Sequence, residues 1–193
     1  MAQTPTTERR QRDPERTRAD ILAVARREFA AHGYTGARVD EIAALTNTTK
    51  RMLYYYFGSK EGLYLAVLEQ AYQEIRELEQ NLDVDDLDPI EALRRLAEAT
   101  FDHHTSHEEF VRLVSIENTH RAEHLRKAEA ITAQNISAVG TLTRVLARGQ
   151  EQGRFRTDLD ALDVHAAISS YAFFHAANRY TFEALFDRDL LDP

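Results

Sequence analysis

The chain of 193 residues lacks cysteine and has only seven glycines and four prolines. The absence of cysteine excludes disulfides, thiol catalysis and cysteine-ligated zinc. So few glycines and prolines argue against long irregular stretches. No apolar run reaches the roughly 18 residues that a membrane span needs, and the N-terminus lacks the apolar core of a secretory signal. We therefore expect a cytoplasmic protein without a membrane segment.

Alanine, leucine, arginine and glutamate dominate the composition and favour helices. Apolar residues recur at helical spacing, and no strand alternation competes with them. The sequence predicts an all-α fold with an N-terminal three-helix helix-turn-helix domain and a C-terminal helical domain. The predicted divisions are a disordered basic arm over 1–12, the helix-turn-helix domain over 13–60 and the second domain over 61–193.

Charge is unevenly distributed between these parts. The chain carries 24 basic and 32 acidic side chains, a net charge of −8, which by itself argues against nucleic acid as a partner. Residues 1–60, the head, hold 11 basic and 7 acidic side chains, whereas residues 61–193, the body, hold 13 and 25. The head therefore carries +4 and can meet phosphates, while the body carries −12.

Capping residues mark where the predicted helices begin. Asp13-Pro14 predicts the start of the first helix, Thr49 that of the third and Ser59 that of the fourth. A short second helix starts near Val39. Further helices are predicted over 89–104, 107–118, 121–150 and 160–187, with a possible break near Ala130.

The third helix has an unusual surface for a small core helix. Leu53 and Phe57, four residues apart, can face inward, which leaves basic and tyrosine side chains outside. Such groups can contact phosphates, sugars and base edges of DNA. A solvated basic helix with a tyrosine-rich packing edge is the alternative. The DNA contacts predicted on this helix are Thr49, Lys50, Arg51, Tyr54, Tyr55 and Tyr56.

At these residues the chain resembles the TetR family of bacterial transcriptional regulators. The resemblance extends from Arg16 to about Leu68 and rests on Ile21-Leu22, Phe29, Gly33-Tyr34, Val39-Asp40-Glu41-Ile42-Ala43, Lys50, Leu53-Tyr54-Tyr55-Tyr56-Phe57, Gly58-Ser59-Lys60-Glu61 and Leu63. It implies a DNA-binding domain over 13–60 and a ligand-binding and dimerisation domain over 61–193. The protein is then expected to be a homodimer that represses transcription from a palindromic double-stranded operator until a small-molecule effector releases it. By position the resemblance adds Lys60 to the predicted DNA contacts, and it adds Arg38, where the family commonly has a small hydroxyl residue, as a phosphate contact. The family usually has glycine where Arg51 stands, and Ala-Gly-Val where this chain has Thr46-Asn47-Thr48.

Seven of the eight histidines follow residue 100 and suggest another class of function. Glu117, His120 and His124 have the spacing of metal-binding helices, so a metal-binding protein or a metal-sensing regulator is the alternative. No phosphate loop, nucleophile elbow or carboxylate pair indicates an enzyme or a cofactor. The residues expected around an effector are Phe101, His104, Phe110, Leu113, Glu117, His120, Phe174 and His175.

Two apolar stripes near the C-terminus are expected to form a four-helix dimer interface, as the resemblance implies. Internal core is the alternative for both stripes. The first comprises Ala138, Val139, Leu142, Val145 and Leu146, and the second comprises Leu162, Ile168, Tyr171, Ala172 and Tyr180.

Overall fold

A computed structural model describes residues 13–192, apart from the side chains of residues 129–138. The predicted arm over residues 1–12 and the Ala138 side chain lie outside this part. All regular elements described are helical, which confirms the all-α fold. The eight α-helices are α1 (Pro14–Gly36), α2 (Val39–Leu45), α3 (Lys50–Phe57), α4 (Lys60–Asn81), α5 (Pro89–Ser106), α6 (Glu108–Thr119), α7 (Glu129–Glu151) and α8 (Ala161–Phe186).

The predicted caps of the head are present. The Asp13 carboxylate accepts the Glu15 amide, the Thr49 hydroxyl accepts the Met52 amide and the Ser59 hydroxyl accepts the Gly62 amide. Arg38 supplies no side-chain cap to α2, as its residue type suggests. These caps make α1, α3 and α4 begin at the residues that the sequence indicates.

Two turns of the head need unusual backbone conformations. Asn47 adopts a φ of 50° between α2 and α3, which its short polar side chain tolerates. Gly33 has a φ of 68° and kinks the last turn of α1. The result is the helix-turn-helix arrangement, in which α2 and α3 pack at a tight turn.

The predicted helix over 121–150 is wrong in its first turns. Arg121 and Ala122 have left-handed φ values of 58° and 57°, and only a short 3-10 turn forms at Leu125–Lys127 before α7 begins. The amides of His124 and Leu125 donate to the Glu117 carboxylate instead of continuing a helix. A long-range contact therefore replaces the local helical bonds.

Two apolar clusters form the interior. The larger joins the head to α4 and α6 through side chains such as Ile21, Phe29, Ile42, Leu53 and Leu68. The smaller lies where α5 and α7 meet the loop after α4, and it includes three residues of the first predicted dimer stripe: Leu142, Val145 and Leu146. These three residues therefore belong to the internal core, which is the alternative interpretation given above for that stripe.

Candidate nucleic-acid interface and effector cleft

The outer side of α3 carries exposed tyrosines. Leu53 is 1% exposed and anchors the helix, whereas Tyr55 is 78% exposed. Tyr54 is more than one-third exposed, and Tyr56 is half-buried with its ring centroid 5.4 Å from that of Tyr55. Leu53 thus packs in the core, while the three tyrosines that follow it form an amphipathic outer surface that suits a DNA groove.

Basic groups flank these tyrosines at the start of α3. The Lys50 ammonium lies 3.3 Å from the Asp40 carboxylate, which places the first turn of α2 beside that of α3. Arg38, at the start of α2, is exposed and 3.7 Å from Glu41. In the described part of the chain, no hydrogen bond or ion pair engages the exposed Arg51 guanidinium. This group is therefore available to an external partner.

Two predicted DNA contacts have structural roles within the protein. The Thr49 hydroxyl caps α3. The Lys60 ammonium donates to the carbonyls of Thr35 and Ala37, at 3.3 and 2.6 Å, and lies 5.1 Å from the Tyr34 ring centroid. Partial burial lowers the Lys60 pKa, opposed by the Glu28 carboxylate. Lys60 therefore closes the C-terminal end of α1.

A cleft of about 300 Å³ opens between α4, α5, α6 and α8. Phe110 and Phe173 supply aromatic walls, and Tyr72 packs edge-on against Phe110 at 5.5 Å between ring centroids. Its other lining residues are Ile75, Arg76, His104, Val114, Asn118, His165, Ser169 and Ser170. An apolar cleft with a few polar groups is typical of a small-molecule site.

The polar groups of this cleft have defined protonation states and hydrogen-bond partners. His104 Nδ1 lies 2.7 Å from the Thr100 carbonyl, so Nδ1 carries the proton and Nε2 is left as an acceptor. Burial lowers the pKa values of His104 and His165, so both are neutral at pH 7. Arg76 pairs with the buried Glu79 carboxylate, which offsets its charge. The cleft therefore offers hydrogen bonds and aromatic surface with little net charge.

The other predicted effector residues lie elsewhere. Leu113 and Glu117 are each 1% exposed in the core. Phe101 and His175 contact each other where α5 meets α8, with ring centroids 5.7 Å apart. Phe174 is exposed on α8, and His120 lines a separate groove of about 450 Å³ between α1, α6 and α8.

Of the eight residues expected around an effector, only His104 and Phe110 line the 300 Å³ cleft. Arg76, Asn118 and His165 also line the cleft but are not indicated by the sequence, and they lie on three different helices. No local motif joins them, because only the packing of the helices brings them together.

The metal-binding alternative is not supported. His120 is exposed, while the His124 ring lies in the core with Nδ1 3.1 Å from Glu117. Both Glu117 oxygens already accept hydrogen bonds from the protein. Among the side chains that the structure describes, no group of three or more His, Asp or Glu residues could hold a metal ion.

Helix α8 has an exposed apolar face. Residues 164–178 contain no Asp, Glu, Lys or Arg. Tyr171, Phe174 and Leu162 are among its exposed large side chains, whereas Ala172 is buried. In the part of the chain that the structure describes, no helix carries an apolar stretch that could span a membrane.

Together, the tight turn between α2 and α3 and the exposed side of α3 define the class of helix-turn-helix DNA-binding proteins. Residues 21–67 match the sequence model of "Bacterial regulatory proteins, tetR family", and residues 89–193 match "Tetracyclin repressor-like, C-terminal domain". The chain belongs to the TetR family of transcriptional regulators.

Named relatives agree with this assignment. The HTH-type transcriptional repressor NicS of Pseudomonas putida is 38% identical over 190 residues, which cover 98% of this chain and 90% of NicS. The HTH-type transcriptional repressor SCO4008 of Streptomyces coelicolor is 33% identical over 79% of this chain and 74% of its own. The structure of the ketosteroid transcriptional regulator KstR2 of Mycobacterium tuberculosis superposes with a TM-score of 0.65 at 26% identity, covering 83% of this chain and 81% of KstR2.

Proposed function

We propose that this protein is a homodimeric repressor that binds a near-palindromic operator and is released by a small-molecule effector. Residues 13–60 form the DNA-binding domain, and residues 61–193 bind the effector and dimerise. The observation that carries this proposal is the outer side of α3, where Arg51, Tyr54 and Tyr55 are exposed. The repressor names of NicS and SCO4008 favour repression.

The dimer is proposed from the exposed face of α8. A helix that is apolar on all sides is stable in water only when its whole surface is covered. Tyr171 is 63% exposed and has no charged residue within seven positions on either side, so a second copy packed here would bury it. Two heads on one dimer would then reach successive major grooves of a two-fold operator.

The cleft between α4, α5, α6 and α8 is the proposed effector site. Its volume suits a small, partly aromatic molecule with a hydrogen-bond donor for His104 Nε2. A ligand that binds one conformation of the dimer better than the other shifts the population, and the two affinities differ by the coupling free energy. Release follows if the preferred conformation spaces the heads wrongly for the operator.

The test begins with DNA selected from a random pool by the purified protein. We expect an enriched near-palindrome, a dimeric mass by light scattering and a small molecule that both raises the melting temperature and releases the DNA. The His104→Leu variant should lose the thermal response to that molecule while still binding the selected DNA. No enriched sequence, or a monomer on DNA, would contradict the proposal.

A further inference from the structure

The Glu117 carboxylate is the most densely hydrogen-bonded buried acid in the described residues. Its Oε1 accepts from the Tyr64 hydroxyl at 3.0 Å and lies 3.1 Å from His124 Nδ1. Its Oε2 accepts from the amides of His124 and Leu125 at 3.2 and 3.1 Å. A carboxylate that is 1% exposed is costly unless such partners satisfy it, so its geometry is tightly constrained.

These partners lie where the head meets the body. The Tyr64 ring, on α4, packs against Phe29 and Tyr34 of α1 at centroid distances of 4.8 and 5.3 Å. The His124 ring lies 4.3 Å from the Tyr34 ring and 4.9 Å from the Tyr64 ring. One carboxylate of α6 therefore holds both the start of α4 and, through the aromatic rings, the end of α1.

The start of α4 is in turn joined tightly to the recognition helix α3. A Cβ placed on Gly62 would lie 2.0 Å from the Phe57 carbonyl oxygen, so only glycine permits this close approach. The Ser59 cap fixes the same turn. The position of Tyr64 therefore determines where the C-terminal end of α3 lies.

The same helix α6 lines the effector cleft. Phe110, Val114 and Asn118 contribute to the cleft wall, and Asn118 directly follows Glu117. A ligand that displaces this wall must carry the Glu117 carboxylate with it. The displaced carboxylate then either moves the head through its hydrogen bonds to Tyr64 and His124 or breaks those hydrogen bonds.

We propose that Glu117 is the positioning residue that sets the angle of the head on the body and passes displacement of α6 to α3. The regulatory part of this role rests on the proposed function, whereas the positioning part belongs to the isolated protein. The exposed ion pair between Lys127 and Glu61, at 2.5 Å, joins the same two regions at the surface. Exposed pairs contribute little, so the buried network has the larger effect.

The test is a distance between head and body. Because the chain has no cysteine, spin labels can be placed at Ala23→Cys on α1 and Arg95→Cys on α5, both exposed sites. Pulsed electron spin resonance, with labelled protein diluted into unlabelled protein, gives the distance distribution within one chain. In Glu117→Gln the amide nitrogen replaces one acceptor oxygen, so we expect a broader or shifted distribution.

Operator binding provides the second measurement. Glu117→Gln should lower affinity for the DNA that the wild-type protein selects by about tenfold, because misplaced heads no longer fit both half-sites. Binding to random DNA at low salt should be unchanged. Tyr64→Phe removes one hydrogen bond and keeps the ring, so it should lower operator affinity in the same direction but by less. If Glu117→Gln does not fold, Tyr64→Phe alone tests the proposal.

Glu79→Gln is the matched control. Glu79 is also a buried carboxylate, 5% exposed, but it pairs with Arg76 of its own helix and is not part of the junction. The proposal is overturned if Glu79→Gln broadens the distance distribution as much as Glu117→Gln, or if Glu117→Gln and Tyr64→Phe keep the wild-type distribution. Failure of the wild-type protein to select DNA would instead refute the proposed function, because the distance measurement uses no DNA.

Discussion

The outer side of α3 and the interior of the body use polar side chains in opposite ways. On α3 the side chains proposed to contact DNA, such as Tyr55 and Arg51, are exposed to solvent. In the body, His103, His104 and Glu117 are buried. Burial keeps the two histidines neutral, a hydrogen bond to the Thr100 carbonyl orients the His104 ring, and hydrogen bonds within the protein orient the Glu117 carboxylate. Changes on α3 should therefore alter DNA binding without altering stability, whereas changes in the interior should act through stability, through the position of the head or through the effector cleft.

The largest expected effect concerns His103. Both ring nitrogens are buried, and neither has a hydrogen-bond partner among the residues that the structure describes. The ring stacks on that of His107, with centroids 4.3 Å apart. Desolvation, together with the charges of His107, His104, Arg26 and Arg76, lowers its pKa from 6.5 to about 3. Between these values the unfolded chain binds a proton that the folded chain does not. The free energy of unfolding should thus fall with decreasing pH, by up to about 1.4 kcal/mol per pH unit from this group.

His103→Phe removes this proton binding and the two unpartnered nitrogens. Urea unfolding at pH 7, 6, 5 and 4 should show a smaller loss of stability in the variant and higher stability at pH 7, by about 1 kcal/mol or more. The control His32→Gln changes an exposed histidine and should keep the wild-type slope. Equal slopes for wild type and His103→Phe would contradict the assignment of His103 as a buried neutral group.

On α3 the largest effect is expected from Tyr55→Ala. The side chain is 78% exposed and its ring packs edge-on against that of Tyr56, so the change should leave the melting temperature and oligomeric mass unaltered. Affinity for the selected operator should fall by about tenfold, the scale of one good contact at a DNA interface. Gel shifts at fixed salt measure this. Ile90→Ala, which removes an exposed apolar side chain at the start of α5, outside both α3 and α8, serves as control.

Arg51→Gly is expected to change selectivity more than affinity. A long guanidinium near the start of α3 can contact a guanine edge, which contributes about 1–3 kcal/mol of discrimination. Repeated selection with the variant should give a consensus relaxed at one position in each half-site. Equal losses on operator and random DNA would show that Arg51 contacts only phosphates.

The smallest effect is expected from Asp40→Asn. This change frees the Lys50 ammonium from its exposed ion pair, which is worth less than about 1 kcal/mol. Operator affinity should rise slightly, and its salt dependence should steepen if Lys50 then contacts a phosphate. An unchanged salt slope would indicate that Lys50 does not reach the DNA backbone.

The head could be predicted closely from the sequence because its signals are local. Asp13, Thr49 and Ser59 each cap the helix that follows them, within three residues along the chain. Asn47 adopts the left-handed conformation that its residue type allows. Lys60 is different, because its carbonyl partners lie 23 and 25 residues away and no local pattern reveals them.

The body was harder to predict because its decisive contacts are distant in sequence. Glu117 and Tyr64 are 53 residues apart, yet their hydrogen bond is part of the network that ends the helical continuation after α6. The pattern Glu117, His120, His124 resembles a metal motif only while the chain is treated as one helix. Once Arg121 and Ala122 turn to positive φ, His120 and His124 no longer share a face.

The central claim is that two copies of α3 read successive major grooves of one operator. Hydroxyl-radical footprinting and guanine-N7 methylation interference on the selected DNA test it directly. We predict two symmetric protected patches on one face of the duplex, with centres about 34–36 Å apart or close to it, and interference by methylation in the major groove. A single protected patch, or binding that is indifferent to N7 methylation, would contradict the account.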